Sequence, residues 1–280
     1  MTVKLYPAPG DFLGDNRDFL HRYEVQAQLN CYNAALHRDA PCSPELFFGR
    51  VEQDNCPVLL FGNAHPHFLC LNAAPDDRRV PEAARELSGY LCENNIAIAG
   101  VSGRDNLCRA FMEAHSGDFA LRSSMDIMVL ENLIEPPPCN GTVRRAGLSD
   151  LELIANWKCA LIREAVGEEP EPQRVRSTTT GQLERSVVWL MENGAGEPVS
   201  MANSGRMLKG WACVSGVYTP PEHRGKGYCQ VTVATLCREL LASGKGYITL
   251  FVDKKNPISN RVYRKIGFDI LEDSSDYRLG

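Results

Sequence analysis

Apolar and polar positions along the chain repeat with two periods, that of an amphipathic helix and that of a half-buried strand. Within residues 230–242, Val233 and Cys237 lie four residues apart on one helical face, whereas Ile248 and Leu250 alternate with polar residues as in a strand. In the second half of the chain the pattern predicts a strand, a helix, three strands, a helix, a strand, a helix and two closing strands, at residues 142–146, 149–164, 186–192, 198–203, 211–218, 230–242, 247–252, 257–266, 268–271 and 276–279.

The first half of the chain follows nearly the same order. The pattern predicts a helix, three strands, a helix, a strand, a helix and one or two strands, at residues 18–35, 46–51, 58–62, 67–72, 81–94, 96–101, 105–115 and 119–132. No sequence identity between the halves is visible, so the repeat rests on the order of the elements alone. This order predicts two modules of the α/β (α+β) class.

Two stretches interrupt the periodic pattern. Residues 135–141 contain three prolines and a glycine, which break regular elements, and they predict a boundary between domains at 1–139 and 140–280. Residues 168–181 are polar and contain two prolines, and they are predicted to form a mobile loop.

The composition is that of a globular protein, with 44% apolar and 23% charged residues among 280. The net charge of −5 divides into −8 for residues 1–139, with 11 basic and 19 acidic side chains, and +3 for residues 140–280. A surplus of this size does not predict nucleic-acid binding. No apolar run approaches the roughly 18 residues of a membrane span, and the first ten residues lack the apolar core of a signal peptide. We therefore expect a cytoplasmic protein with no membrane or nucleic-acid partner.

The eleven cysteines are scattered, and none belongs to a Cys-x-x-Cys pair. Structural zinc sites usually need such pairs, and disulfide frameworks belong to oxidising compartments. We expect reduced thiols, most of them small core residues. His65 and His67 are separated by a proline and have no third ligand at a typical spacing, so a polar entry to a strand is favoured over a metal site.

A basic, glycine-containing loop carries the most informative chemistry. Residues 217–229 run Val-Tyr-Thr-Pro-Pro-Glu-His-Arg-Gly-Lys-Gly-Tyr-Cys, so a strand passes through the loop directly into a helix. Unpaired N–H groups and the positive end of a helix dipole attract phosphate oxygens. Gly225 and Gly227 allow a close approach to the backbone, and Arg224 and Lys226 add positive charge. The loop matches neither the Walker nor the dinucleotide motif, and by itself it also fits a solvated turn.

A second stretch supplies the context for this loop. Residues 256–268 run Asn-Pro-Ile-Ser-Asn-Arg-Val-Tyr-Arg-Lys-Ile-Gly-Phe and begin 27 residues after Cys229. Together the two stretches resemble the GNAT acetyltransferase superfamily, whose phosphate loop is Arg/Gln-x-x-Gly-x-Gly/Ala and whose fourth helix carries Asn-x-x-Ala/Ser-x-x-x-Tyr before Gly-Phe. The resemblance covers about residues 142–280. It implies two GNAT-like modules, each a mixed, mostly antiparallel sheet flanked by helices, of which the first lacks a phosphate loop.

The resemblance also implies an acetyl-CoA site without a metal. Backbone groups of residues 217–219 would hold the pantetheine arm, amides of residues 224–229 would hold the pyrophosphate, and residues 256 and 259 would contact the far arm of the cofactor. The implied cofactor-binding residues are Val217, Tyr218, Thr219, Arg224, Gly225, Lys226, Gly227, Tyr228, Cys229, Asn256 and Ser259.

Two of the implied positions have competing interpretations. Cys229 stands where the family prefers glycine or alanine, and we interpret it as a small packing residue, with a reactive thiol at a helix N-terminus as the alternative. Asn256 also has the position of a helix N-cap beside Pro257, a role compatible with ligand contact.

Tyr263, seven residues past Asn256, is predicted to be the general acid that protonates the released thiolate. The alternative is a core tyrosine near Ile266. The strand at residues 211–219 contains no carboxylate to take a proton from the acceptor amine, so the general base stays unassigned.

The predicted function is transfer of an acetyl group from acetyl-CoA to a primary amine of a small-molecule or peptide acceptor, by direct attack in a ternary complex. A non-catalytic acyl-CoA-binding or sensing protein is the alternative, since the strand carboxylate is missing and Cys229 departs from the family pattern. The sequence leaves the acceptor, the length of the acyl group and the oligomeric state open.

Overall fold

The structure, a computed structural model, describes residues 1–280 and every side chain except that of Val166. The chain divides into two compact units, the first formed by Met1–Asp126 with Glu272–Gly280 and the second by Ile127–Leu271. The chain therefore leaves the first unit within one strand and returns to it within the last one. The proline-rich stretch 135–141, where the sequence predicts the domain boundary, lies inside the second unit.

The first unit begins with a strand, followed by three short helices, three strands, a helix, a strand and a helix. Its elements are β1 (Thr2–Leu5), α1 (Pro9–Asp15), α2 (Arg17–Arg22), α3 (Gln28–Leu36), β2 (Leu46–Gln53), β3 (Cys56–Ala64), β4 (Leu69–Ala73), α4 (Val80–Glu93), β5 (Gly100–Gly103), α5 (Asp105–Ala114) and the first part of β6 (Phe119–Leu130).

The second unit repeats this order with two helices in place of three. Its elements after β6 are β7 (Gly141–Arg145), a 3₁₀ turn (Leu148–Asp150), α6 (Leu151–Val166), α7 (Pro172–Glu184), β8 (Val188–Asn193), β9 (Pro198–Met207), β10 (Trp211–Tyr218), a second 3₁₀ turn (Pro221–His223), α8 (Tyr228–Ala242), β11 (Tyr247–Asp253), α9 (Pro257–Lys265) and the start of β12 (Asp269–Leu279).

Both units contain the same strand arrangement, mostly antiparallel with one parallel pair. In the first unit β1, β2, β3 and β4 pair antiparallel in succession, and β4 pairs parallel with β5. In the second unit β7, β8, β9 and β10 pair antiparallel, and β10 pairs parallel with β11. The predicted fold class, two mixed α/β modules, is confirmed.

The sheet of the second unit is buried on both faces, which fits the continuous apolar run of β8 at Val188–Met191. On one face Trp189, Ala202 and Val214 pack with helix α8 in one apolar cluster. On the other face Leu190 and Met201 pack against α6 in a second cluster. The first unit has its own apolar core between its strands and helices α4 and α5.

Four local predictions are wrong. Residues 168–181 are not a loop, because residues from Pro172 onward form α7, with Thr179 and Leu183 buried. Residues 18–35 are divided among separate short helices. The two predicted closing strands form one continuous β12. Gly205, whose place between the predicted strands 198–203 and 211–218 predicts a hairpin turn, instead lies inside β9, where a Cβ atom would approach the Ser215 hydroxyl to 2.6 Å.

The start of α6 also differs from the sequence pattern, in which Ser149, with Glu152 three residues later, predicts the N-cap. Ser149 lies in the 3₁₀ turn, and Asp150 occupies the N-cap position. The Asp150 carboxylate accepts a hydrogen bond from the Gly147 amide and a bidentate pair from Arg144. A charged network thus fixes the start of the helix, which a capping pattern in the sequence does not reveal.

Candidate active site

Strands β10 and β11 separate at one end, which opens a gap in the second unit. Their parallel pairing runs from Trp211 and Tyr247 to Val214 and Leu250 and then stops, although β10 continues to Tyr218. A bulge at residues 215–218 accompanies the separation, with Gly216 in the left-handed region at φ 56°. A bulge bends its strand and increases the local twist. The backbone edge of β10 beyond Val214 is therefore free of its parallel neighbour.

The loop after β10 presents unpaired amides. Gly225 and Gly227 have φ values of 76° and 84°, and no atom lies within 4 Å of the position of a Cβ at either residue. The amides of residues 225–230 have no acceptor within the described structure. The first backbone hydrogen bond of helix α8 runs from the Val231 amide to the Gly227 carbonyl. Helix α8 has no side-chain cap and no acidic residue in its first turn. Free amides at a helix N-terminus are the feature that favours anion binding.

The two cations of the loop are held by the protein itself. Arg224 donates to the Thr219 carbonyl at 2.8 Å and to the Glu164 carboxylate at 2.7 Å, and the Lys226 ammonium donates to the Glu222 carbonyl at 3.0 Å. Arg224 therefore braces the loop against the end of β10 as well as contributing positive charge.

Glu164, near the end of α6, is the site residue that sequence reasoning missed. Its carboxylate accepts hydrogen bonds from the Tyr218 hydroxyl at 3.0 Å and from Arg224. Burial, and then the bond to Glu164, raise the pKa of Tyr218. Glu164 precedes Tyr218 by 54 residues in the chain. Nothing in the sequence distinguishes it from Glu152, the other acidic residue of α6.

Cys229 lies in the first turn of α8, and the structure supports its packing interpretation. Burial raises the pKa of the Cys229 thiol to about 12, the opposite of the shift that a reactive thiol needs. Its side chain packs against the apolar cluster that contains Tyr263.

Asn256 is the N-cap of α9. Its side-chain oxygen accepts a hydrogen bond from the Ser259 amide at 3.0 Å. Asn256 is exposed and Ser259 is half-buried, so both residues also present polar groups to the solvent.

Tyr263 on α9 combines a buried ring with an unbonded hydroxyl. The ring is 8% exposed and packs edge-on against Phe268, with ring centroids 6.0 Å apart. Within the described structure its hydroxyl has no hydrogen-bond partner, yet it is not among the fully enclosed polar atoms without a partner. Burial, with a smaller contribution from the Cys229 and Cys237 thiols, raises the pKa of Tyr263 well above its usual range. The phenol therefore keeps its proton at neutral pH.

Comparison with known proteins identifies the class to which this site belongs. Residues 153–268 match the model of the Acetyltransferase (GNAT) family. The fold resembles an acetyltransferase of the GNAT family from Colwellia psychrerythraea, with a TM-score of 0.60, 12% identity and 100% of both chains covered. A GCN5-related N-acetyltransferase from Sphaerobacter thermophilus gives a TM-score of 0.63 at 16% identity, over 99% of this chain and 95% of that one. A tandem GNAT protein from the clavulanic acid biosynthesis pathway gives 0.58 at 12% identity, over 99% and 98%. No curated protein matches the sequence.

The family match thus covers residues 153–268, most of the second unit, and this family transfers acyl groups from acyl-CoA. The full-length coverage by the tandem protein agrees with the arrangement of two modules of one fold. The predicted resemblance to this family is confirmed.

The described residues contain neither a metal site nor a membrane-spanning helix. Among the described residues, no three His, Cys, Asp or Glu side chains are placed to hold a metal ion, and this applies to the stretch containing His65 and His67. None of the described helices combines the length and apolar character needed to cross a membrane.

Proposed function

We propose that the protein is an N-acetyltransferase that moves the acetyl group of acetyl-CoA to a primary amine by direct attack in a ternary complex. The observation that carries this proposal is the run of unpaired amides at residues 225–230 beside the gap between β10 and β11. Free N–H groups at a helix start bind phosphate oxygens, and a free strand edge binds an extended amide chain. Acetyl-CoA has a group for each feature: its pyrophosphate for the free amides and its pantetheine arm for the strand edge.

The proposed contacts follow from this geometry. The amides of residues 224–229, with Gly225 and Gly227 leaving space, would hold the pyrophosphate. Backbone groups of residues 217–219 would pair with the pantetheine arm. Asn256 and Ser259, at the start of α9, would contact the far arm of the cofactor.

Tyr263 is the proposed catalytic residue. Acyl transfer from a thioester releases a thiolate, and a hydroxyl held beside the sulfur stabilises the charge as it forms. The raised pKa of Tyr263 lies above the roughly 8.5 of an ordinary thiol, so the phenol acts mainly as a hydrogen-bond donor to the developing thiolate. Its apolar surroundings exclude competing donors and strengthen that bond.

The proton of the acceptor amine has no assigned base. Strand β10 carries no carboxylate, and both oxygens of Glu164 already accept hydrogen bonds. We propose that a water chain, held by hydrogen bonds to backbone carbonyls beside the bulge, carries this proton to solvent.

The same observation favours a second function, a non-catalytic acyl-CoA-binding protein. To distinguish the two functions, the full chain is mixed with acetyl-CoA and a panel of primary amines, and amide products are measured by mass spectrometry. An acetyltransferase yields an amide at a rate that falls on Tyr263→Phe. A sensing protein binds acetyl-CoA in calorimetry and yields no amide with any amine.

A further inference from the structure

A half-buried cation without an anionic partner lies on α6. The Lys158 ammonium donates a hydrogen bond to the side-chain oxygen of Gln182 on α7, and no described carboxylate lies within ion-pair distance of it. Burial alone lowers its pKa to about 8. Ile154, one turn earlier, is fully buried in the cluster between α6 and the sheet, so Lys158 projects toward the sheet on the same helical face.

A second unsatisfied group adjoins this cation. The Asn203 side chain on β9 donates to the same Gln182 oxygen at 3.4 Å, while its own carbonyl oxygen is buried and has no donor. Asn203 is 2% exposed. Buried polar groups are normally hydrogen-bonded, and a buried cation normally has an anionic partner. Here the Lys158 ammonium has no anionic partner, and the side-chain oxygen of Asn203 accepts no hydrogen bond.

This cluster lies at the point where the gap opens. Asn203 is paired with Ser215, and its amide nitrogen would lie 2.8 Å from a Cβ at Gly216, the bulge residue. Parallel pairing of β10 with β11 ends just before Ser215. If residues 217–219 hold the pantetheine arm, the acyl end of the cofactor falls beside this bulge.

The cluster and the proposed acid lie on opposite faces of the sheet. Tyr263 belongs to the apolar cluster that includes α8, whereas Lys158 belongs to α6, which covers the other face. Residues on one face of the sheet would thus contact the leaving thiol, and residues on the other face would contact the incoming amine. The groups around the incoming amine then decide which acceptor binds.

We propose that Lys158, Gln182 and Asn203 form the acceptor subsite and that the acceptor carries a carboxylate close to its amine, as an amino acid does. The carboxylate pairs with Lys158, and an N–H of the acceptor satisfies the Asn203 carbonyl. This inference rests on the proposed function, because it takes the position of the acyl group from it. Lys158 remains partly accessible, which leaves a route to it.

The test compares amines that differ only in the charge of the acid group. Alanine, phenylalanine and lysine are each paired with the corresponding carboxamide, and kcat/KM for acetyl-CoA consumption is measured with the full chain. We expect at least one acid to exceed its carboxamide by about tenfold or more, the range of a hydrogen bond to a charged group. Equal rates for every pair, or faster carboxamides, would overturn the proposal.

Variants of Lys158 assign the preference to this residue. Lys158→Met removes the charge at similar length and is expected to fold, since replacing an unpaired buried charge by an apolar group is seldom destabilising. It should remove the preference for the acid, while Lys158→Arg restores part of it. Lys209→Met, at an exposed turn of the same unit, is the matched control and should change nothing. A preference that survives Lys158→Met contradicts the assignment.

A binding measurement separates this proposal from the proposed function. The melting temperature is recorded without acetyl-CoA, with each acid and each carboxamide. Stabilisation by an acid in the wild type but not in Lys158→Met supports the subsite even if no amine is acetylated. Acetyl-CoA binding by calorimetry tests the cofactor site by itself. The absence of both turnover and stabilisation for all three acids would overturn the subsite while leaving that cofactor result intact.

Discussion

The two units have one strand order but differ in the loop between the parallel strand and the following helix. In the second unit the amides of residues 225–230 are free, and the loop carries two glycines and a lysine. In the first unit the corresponding loop, residues 74–79, carries Asp76 and Asp77. There the Asp77 side chain accepts from the Arg79 amide, the Asp77 carbonyl accepts from the Val80 amide, and the next helical position is a proline without an N–H. The first loop therefore bonds the amides of Arg79 and Val80 within itself, and its two aspartates offset the charge of Arg78 and Arg79.

The gap itself is also closed in the first unit. A Cβ at Gly103, on β5, would lie 2.7 Å from the Leu71 carbonyl on β4, so the strands run close together where β10 and β11 separate. The Arg104 guanidinium donates to the Ala74 carbonyl and pairs with Glu272, both at 3.3 Å. The two units thus share one strand order but differ in the free amides and separated strands on which the proposed cofactor site depends.

The largest expected effect comes from giving the second loop the chemistry of the first. Gly225→Asp with Gly227→Asp places two carboxylates at an anion site and forces non-glycine residues into left-handed backbone, at about 1–2 kcal/mol each. We expect acetyl-CoA affinity, measured by calorimetry, to fall by at least about 100-fold, which corresponds to about 2.8 kcal/mol of binding free energy. Gly244→Asp is the matched control, because Gly244 has φ 91° and open space but follows the opposite, C-terminal end of α8. If the double variant binds normally, the loop is not the cofactor site.

The next effect isolates the hydroxyl of Tyr263. Tyr263→Phe keeps the ring packed against Phe268, and we expect little change in acetyl-CoA affinity but a fall in kcat of roughly 10²-fold, the size typical of a positioned proton donor. Tyr277→Phe, in the first unit, is the control tyrosine and should leave kcat unchanged. A kcat within a few-fold of wild type for Tyr263→Phe would make this residue a core tyrosine only.

The pH dependence tests the same residue without substitution. Since the folded pKa of Tyr263 is raised, the phenol stays protonated as pH rises through the usual tyrosine value of about 10. We expect no loss of kcat between pH 8 and pH 10 from this group. A fall in kcat over that interval that is absent in Tyr263→Phe would contradict the assignment.

A smaller effect is expected at Arg224. Arg224→Glu loses the contacts with Thr219 and Glu164 and sets two carboxylates side by side at the edge of the loop. The affinity for acetyl-CoA should fall by more than the roughly 1 kcal/mol of an exposed ion pair, that is by about tenfold. Arg261→Glu, on α9, offers a charge-matched control. An unchanged affinity would show that the amides bind the cofactor without support from Arg224.

The smallest effect is expected at Cys229. Because its thiol is protonated and buried, we expect iodoacetamide at pH 8 to label the exposed Cys56 and Cys92 and to spare Cys229. Cys229→Ala should change acetyl-CoA affinity by no more than about threefold, within the range of a small packing change. All eleven thiols are free in the structure and should titrate when the protein is denatured without reductant. Rapid labelling of Cys229 in the folded protein would revive the reactive-thiol interpretation.

Much of the fold follows from local patterns in the sequence. The periodicity of the sequence predicts strands such as β10 and helices such as α8. The resemblance of the glycine loop and of the stretch containing Asn256 and Tyr263 to the GNAT family implies acyl-CoA chemistry before any contact is known. The errors fall where local signals are weak. The polar helix α7 exists because Thr179 and Leu183 find a buried surface, and the division between the units falls within continuous strands rather than at the prolines.

The sequence by itself determined the element order, the two modules, the phosphate loop and the candidate tyrosine, because these depend on residues close together in the chain. Only the tertiary structure decided which donors remain unpaired. Residues 225–230 keep free amides, while the amides of Arg79 and Val80 are bonded within their own loop. Glu164 meets Tyr218 and Arg224 across more than fifty residues, and Lys158 lies half-buried without an anion. Hydrogen bonding, ion pairing and burial depend on distances between elements, and those distances are set by packing rather than by local sequence.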